Sequence, residues 1–233
     1  MKIAMITALG VGGATIFGAL LGFLLRKVSA RLTGCLLSFC AGIMLAATVF
    51  GLFAPAITLD LLLCLLGTIA GAVFMDLLGR FVHRSRPESL SQNKVLLFVA
   101  AIAIHNLPEG IAAGVGFGTE NISDALLIAG GIALQNIPEG MVVIGPLLEI
   151  GISKQKALLI GAGTGLIEVI GTVLGFFAIN LCSALLPFAL TFAGGTMLFI
   201  ICGEMIPEGC KESSGIYYLL AGFNLMVILT AVL

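Results

Sequence analysis

The sequence predicts an all-α polytopic membrane protein with eight transmembrane helices, and three observations carry that expectation. Of 233 residues, 60% are apolar and only 10% carry a formal charge, against roughly 45–50% and about 25% in a typical soluble domain. Apolar stretches of roughly 20 residues, enough to cross a ~30 Å hydrocarbon core, recur between charge clusters, prolines and polar breaks. Basic residues fall between alternate stretches, the pattern of a chain threaded back and forth through a bilayer. The composition excludes a disordered chain, a secreted disulfide scaffold and an ordinary soluble enzyme. A net charge of −1 offers no basic patch to nucleic acid.

The first span, 4–25, follows Lys2 and is closed by Arg26 and Lys27. A signal peptide has a shorter apolar core and carries its positive charge in front, so the segment reads as a retained helix. Gly10, Ala14, Gly18 and Gly22 form a small-residue ridge on it, and Gly67/Gly71, Gly161/Gly165 and Gly171/Gly175 repeat the spacing. Such ridges let helix backbones approach closely where lipid supplies no hydrophobic drive. The second and third spans, 34–54 and 57–79, divide around Pro55. Arg80, Arg84, Arg86 and Lys94 lead to the fourth, 94–117. The fifth and sixth, 124–148 and 156–180, are separated by Lys154 and Lys156. The seventh, 186–208, opens at Pro187 and stops before Lys211, and the eighth is 214–233. Short connections make sequential helices antiparallel, and the whole of 1–233 is expected to form one transmembrane domain.

Ten of the eleven basic residues fall on one face of this bundle and only Lys2 on the other. The positive-inside rule makes that face cytoplasmic and places both termini outside. The opposite loops carry only acids: Asp60, Glu120 and Asp124. With no Trp and two Tyr, the aromatic belt is thin. The cysteines (Cys35, Cys40, Cys64, Cys182, Cys202, Cys210) show no C-x-x-C or zinc-finger spacing and read as small hydrophobes. Met44 reads as core and His83 as a loop residue near the membrane face.

Among the carboxylates inside predicted spans or within a turn of their ends, Glu109, Glu139, Glu168, Glu204 and Glu208 stand out. A lone charge at mid-bilayer costs at least ~2.5–3.5 kcal/mol. No Lys or Arg falls near mid-depth, so a bound cation, protonation or a wet cavity must compensate. The surrounding sequences repeat: His-Asn-Leu-Pro-Glu-Gly at 105–110, Gln-Asn-Ile-Pro-Glu-Gly at 135–140 and Glu-Met-Ile-Pro-Glu-Gly at 204–209. Each sets a polar residue and a glutamate four apart on one helical face, giving the pairs His105/Glu109, Gln135/Glu139 and Glu204/Glu208. Asn106 and Asn136 lie on the adjoining face.

Pro108 and Pro138 cannot donate a backbone hydrogen bond. The helices are therefore expected to bend there and free the carbonyls of Ile104 and Leu134, while Gly110 and Gly140 leave room for close approach. His105, Gln135, Glu109 and Glu139 supply one imidazole, one amide and two carboxylates. Asn106, Asn136 and Glu168 can close a second, oxygen-rich position, and shared glutamates would bridge two ions. Nitrogen and oxygen donors without thiolate suit Zn²⁺, Fe²⁺, Mn²⁺ or Cd²⁺ better than Cu⁺. Glu204 and Glu208, near the basic end of the seventh span, read either as solvated or as part of an ion path.

The motif pair at 105–110 and 135–140 resembles the paired signature of spans 4 and 5 in the ZIP family (ZRT/IRT-like divalent metal transporters), and the resemblance extends over the whole chain. It implies inverted three-helix repeats, spans 1–3 and 6–8, around a central pair, spans 4 and 5. It further implies a homodimer in the bilayer, no resident cofactor, and transport of Zn²⁺, Cd²⁺, Fe²⁺ or Mn²⁺ into the cytoplasm. His105, Glu109, Gln135 and Glu139 match the family's primary metal site, and Asn106, Asn136 and Glu168 the second. The segment from Cys40 to Ala46 resembles span 2 of bacterial members with Gln in span 5, which makes Met44 a ligand by resemblance. Glu204-Met-Ile-Pro-Glu208 resembles the cytoplasmic exit motif.

Three features depart from the family pattern. Gln135 stands where many members have His, Gly203 precedes the exit motif where His is common, and no His-rich tract follows span 3. So short a form resembles prokaryotic members and implies the cell inner membrane. Other classes, a proton-coupled exporter or cation channel and an intramembrane metalloenzyme, remain as alternatives. The chain has no G-x-x-x-x-G-K-[ST] to bind ATP and no H-E-x-x-H to activate water on zinc.

Overall fold

The computed structural model describes residues 2–25, 30–84, 106–118, 122–149, 151–211 and 214–232. Helix α1 is Lys2–Leu25. Helix α2, Ala30–Ala46, continues through a π-helical stretch, Ala47–Phe53, into Ala54–Leu59. Helix α3 is Leu61–Arg84, and α4 is 106–115 followed by a 3-10 turn, Gly116–Gly118. Helices α5 and α6 are Ile122–Glu149 and Lys154–Leu181. Helix α7, Leu186–Ile200, passes through a second π-helical stretch, Ile201–Met205, into Ile206–Gly209, and α8 is Gly215–Val232.

Among the described residues, seven helices are long and apolar enough to cross a membrane. The protein is an all-α, multi-pass membrane protein. Of the expected fourth span, 94–105 lies outside the described residues, as do Arg26, Lys27, Arg86 and Glu120.

One proline expectation is corrected. Pro55 does not end the second helix but sits in the first turn of Ala54–Leu59, just after the π-helical stretch. The wide turn takes up the missing donor and the ring. The chain breaks instead at Asp60, whose backbone is extended and whose Oδ1 accepts the Leu63 amide at 2.9 Å, capping α3. Pro138 lies inside α5, Ile122–Glu149.

Sequential helices reverse direction, yet the close packing joins helices remote in sequence that run the same way: α1 with α5, α2 with α8, α3 with α7 and α4 with α6. Glycines make these approaches. Gly18 and Gly22 of α1 lie against the backbones of Ile137 and Met141, Gly42 against Leu219, and Gly71 against Phe192. Helix α1 also crosses α6 antiparallel, where Gly12 meets Gly165. The expected α1 ridge is thus only half used, since Gly10 faces open space and Gly12 does its work. One large buried cluster, including Leu52, Ile128, Ile132, Leu190 and Ile200, fills the bundle between α2, α5 and α7.

Candidate metal centre

Helices α1, α4, α5 and α6 meet at a polar knot inside this apolar bundle. Gly110 brings α4 onto the backbone of Glu168, and Gly140 brings α5 onto the backbone of Thr15. The glycines that close the motifs at 105–110 and 135–140 are therefore the docking points for the helices that complete the cluster. Asn106, Glu109, Gln135, Asn136 and Glu168 are all buried there.

Glu168 is the most heavily bonded. Thr15 Oγ1 donates to its Oε1 at 2.6 Å, Asn106 Nδ2 donates to the same oxygen, and Asn136 Nδ2 donates to Oε2 at 2.6 Å. Asn136 Nδ2 also reaches the Val11 carbonyl at 3.3 Å. Each of these partners is neutral. Beside them, Gln135 Nε2 donates to Glu109 Oε1 at 2.9 Å. Three side-chain atoms in the cluster are buried without a partner: Glu109 Oε2, Gln135 Oε1 and Asn136 Oδ1. All three are acceptors. An unpaired buried acceptor ordinarily costs about 1–3 kcal/mol, so three together mark a place that lacks positive charge or donors.

The remaining expected residues lie as follows. Glu139 lines a cavity of about 570 Å³ together with Thr15, Cys40, Asn106 and Thr164, and the same cavity is lined by Glu204, Glu208 and Lys211. The polar knot thus opens toward the basic end of the bundle. At the mouth, Lys211 Nζ lies 2.6 Å from Glu208 Oε1, an exposed pair. Met44 is fully buried on α2, in one cluster with Ala113 and Ile132. His105 lies outside the described residues, and so does the carbonyl of Ile104. Among the described residues no group of three or more His, Cys, Asp or Glu side chains is placed to hold a metal; carboxylates are mixed with amides instead.

Two contributions from α1 escaped the sequence reading: the Thr15 hydroxyl and the Val11 carbonyl. Thr15 carried a signal, being one of only two hydroxyl residues in an otherwise apolar first span. Cys40 also proves more than filler, since its thiol donates to the Gln135 carbonyl at 3.5 Å. All six cysteines are free thiols, with Cys40 and Cys64 buried.

The model of the family described as "ZIP Zinc transporter" matches residues 83–230. The chain is 34% identical to zinc transporter ZIPB of Bordetella bronchiseptica, over 94% of this chain and 78% of that protein. It is 32% identical to zinc transporter ZupT of Shigella dysenteriae, over 97% and 95%. Identity to zinc transporter GufA of Myxococcus xanthus is 41%, over 59% of this chain and 55% of that one. A multi-pass bundle with a buried carboxylate–amide knot, whose sequence aligns along almost its full length with two such transporters, belongs to the ZIP family.

Proposed function

We propose that this protein carries divalent transition-metal ions across the membrane into the cytoplasm, through a site built on α4 and α5. As a ZIP-family member it is a membrane transporter and not an enzyme. The observation that carries the reading is the set of three buried, unpaired acceptors on Glu109, Gln135 and Asn136. A divalent cation is the ligand that these unpaired acceptors lack, and carboxylate and amide oxygens joined by the imidazole of His105 suit Zn²⁺, Fe²⁺, Mn²⁺ or Cd²⁺.

In this reading the first ion is held by His105, Glu109, Gln135 and Glu139, with Met44 approaching from α2. A second ion sharing the two glutamates would lie on the side of Asn106 and Asn136, flanked by Glu168. Release follows the 570 Å³ cavity past Glu204 and Glu208. The face that holds Lys211 is cytoplasmic by the positive-inside rule, which leaves both termini outside. The equivalent pairings of α3 with α7 and α8 with α2, together with a π-helical stretch in each of α2 and α7, support two related units, spans 1–3 and 6–8, around α4 and α5. The chain is read as one transmembrane domain that works as a homodimer.

The test is uptake by proteoliposomes across a panel of divalent ions, loaded on either side, with and without a pH gradient. Inward flux of at least one of the four ions, lost in Glu109→Ala and Glu139→Ala, is the expected result. Wild-type flux in either variant, or flux only outward, defeats the assignment.

A further inference from the structure

The outer face of α8 carries a side chain that lipid cannot satisfy. Gly215, Leu219, Gly222 and Met226 form the buried stripe of this helix. That stripe is locked to α2, where Gly42 meets the Leu219 carbonyl and Gly222 meets the Phe39 carbonyl. At about 100° per residue, Asn224 falls directly opposite the stripe, and it is exposed. Tyr217, Leu220, Ala221, Ile228 and Ala231 share its face and are exposed too. Asn224 lies midway along Gly215–Val232, about 13 Å from either helix end, so a short side chain there does not reach water.

Elsewhere on the helix faces turned toward lipid, polar side chains fold back onto their own helix. Thr68 Oγ1 donates to the Cys64 carbonyl at 2.8 Å, Asn180 Nδ2 to the Phe176 carbonyl at 2.7 Å and Thr230 Oγ1 to the Met226 carbonyl at 2.9 Å. Asn224 does not, and among the described residues its amide has no hydrogen-bond partner. An amide donor and acceptor left bare in hydrocarbon is costly.

We propose that Asn224 marks the contact between two copies of this chain, α8 against α8 about a two-fold axis along the membrane normal. Each amide nitrogen donates to the amide oxygen of Asn224 in the other copy. A carboxamide is complementary to itself, and a two-fold axis sets identical residues opposite each other at identical depth. Asparagine joins membrane helices in this way, and small residues such as Ala221 and Ala231 on the same face let the backbones approach. The proposal rests on the homodimer reading and gives that dimer its surface.

The experiment labels the full chain at its amino terminus with donor or acceptor dye and follows energy transfer in liposomes at rising protein-to-lipid ratio. Wild type is compared with Asn224→Leu, Asn224→Gln and Ile170→Trp, the last on the exposed face of α6. Asn224→Leu should associate about 10–100-fold more weakly, Asn224→Gln should recover most of the loss, and Ile170→Trp should match wild type. In a thermal melt Asn224→Leu should match wild type, because the side chain touches no polar group of its own chain. A variant that melts lower or fails to fold assigns Asn224 to its own chain and overturns the proposal. Wild type that stays monomeric at every ratio overturns the homodimer reading together with this one. A wild-type dimer that Asn224→Leu leaves intact, or that Ile170→Trp breaks and Asn224→Leu does not, overturns only this.

Discussion

Adding one methyl group at Gly110 or Gly140 tests whether the motif glycines hold the polar knot together. A Cβ at position 140 would lie 2.3 Å from the Thr15 carbonyl oxygen and 2.8 Å from the Ala19 nitrogen. At position 110 it would lie 2.3 Å from the Glu168 carbonyl oxygen and 2.9 Å from the Glu168 Cα. Carbon and oxygen in ordinary contact sit about 3.3–3.6 Å apart, and the atoms met are backbone, so the helices must part by about 1 Å. Parting α5 from α1 would stretch the Asn136 bond to the Val11 carbonyl, 3.3 Å, by about 1 Å, and parting α4 from α6 would pull Asn106 off Glu168, beyond the reach of a hydrogen bond. Overpacking of this kind costs about 1–3 kcal/mol, and each buried group left unpaired adds about 1–3 kcal/mol. The assay is zinc uptake by proteoliposomes alongside a thermal melt, with Gly130→Ala as control because a Cβ there meets nothing within 4 Å on the same helix. Both motif variants should melt lower and lose most of their flux, while Gly130→Ala behaves as wild type. If Gly140→Ala transports and melts like Gly130→Ala, the close approach of α1 to α5 is not what holds the knot.

Other expectations follow from single residues. Glu109→Ala and Glu139→Ala should insert and melt close to wild type yet carry no ion, as read by purified-protein uptake beside a monodisperse elution profile. Gly151 has a φ of +90°, so Gly151→Ala should cost about 1–3 kcal/mol in a melting experiment while leaving the uptake rate of the folded fraction unchanged. The Lys211–Glu208 pair is exposed, and Lys211→Ala should change stability by no more than about 1 kcal/mol, with any effect vanishing in high salt.

How much of this was legible in the sequence depended on which force set each feature. Spans were legible because hydropathy and basic loops are one-dimensional signals: α6 was expected at 156–180 and occupies Lys154–Leu181. The second helix was cut short at Pro55 because a proline reads as a break, and no periodicity announces the π-helical turns that absorb it. The buried carboxylates and amides stood out because charge is expensive in lipid. Their partners did not, since nothing along the chain says that Gly140 faces Thr15 or that Gly12 faces Gly165. Short connections fixed the alternating direction of successive helices but not which helices touch. Thr15, a neutral hydroxyl in a small-residue span, therefore looked ordinary until its neighbour across the bundle, 153 residues away, was known to be a buried carboxylate.

The two ends of the bundle are not equivalent around this knot, and the asymmetry bears on how an ion passes. Toward the basic end, the cavity reaches Asn106, Glu139 and Thr164 and is lined by further carboxylates at Glu204 and Glu208. On α2, α4, α5 and α7 a packed apolar cluster borders the centre, including Leu52, Ala112, Ala113, Ile128, Ile132 and Leu190. A hydrated divalent ion does not cross such packing, because its water would have to be stripped with no polar group to replace it. Glu109 and Gln135, buried against that cluster, are thus screened from one side while Glu139 looks into the cavity on the other. On the proposed transport reading, a site joined to one face at a time would work by exchanging which side is packed, and the alanines and glycines along α4 and α5 would let helices slide without prising large side chains apart. On the same reading, an ion leaving by this cavity would pass from the half-buried Glu139 to the exposed Glu204 and Glu208, where water can replace the protein oxygens.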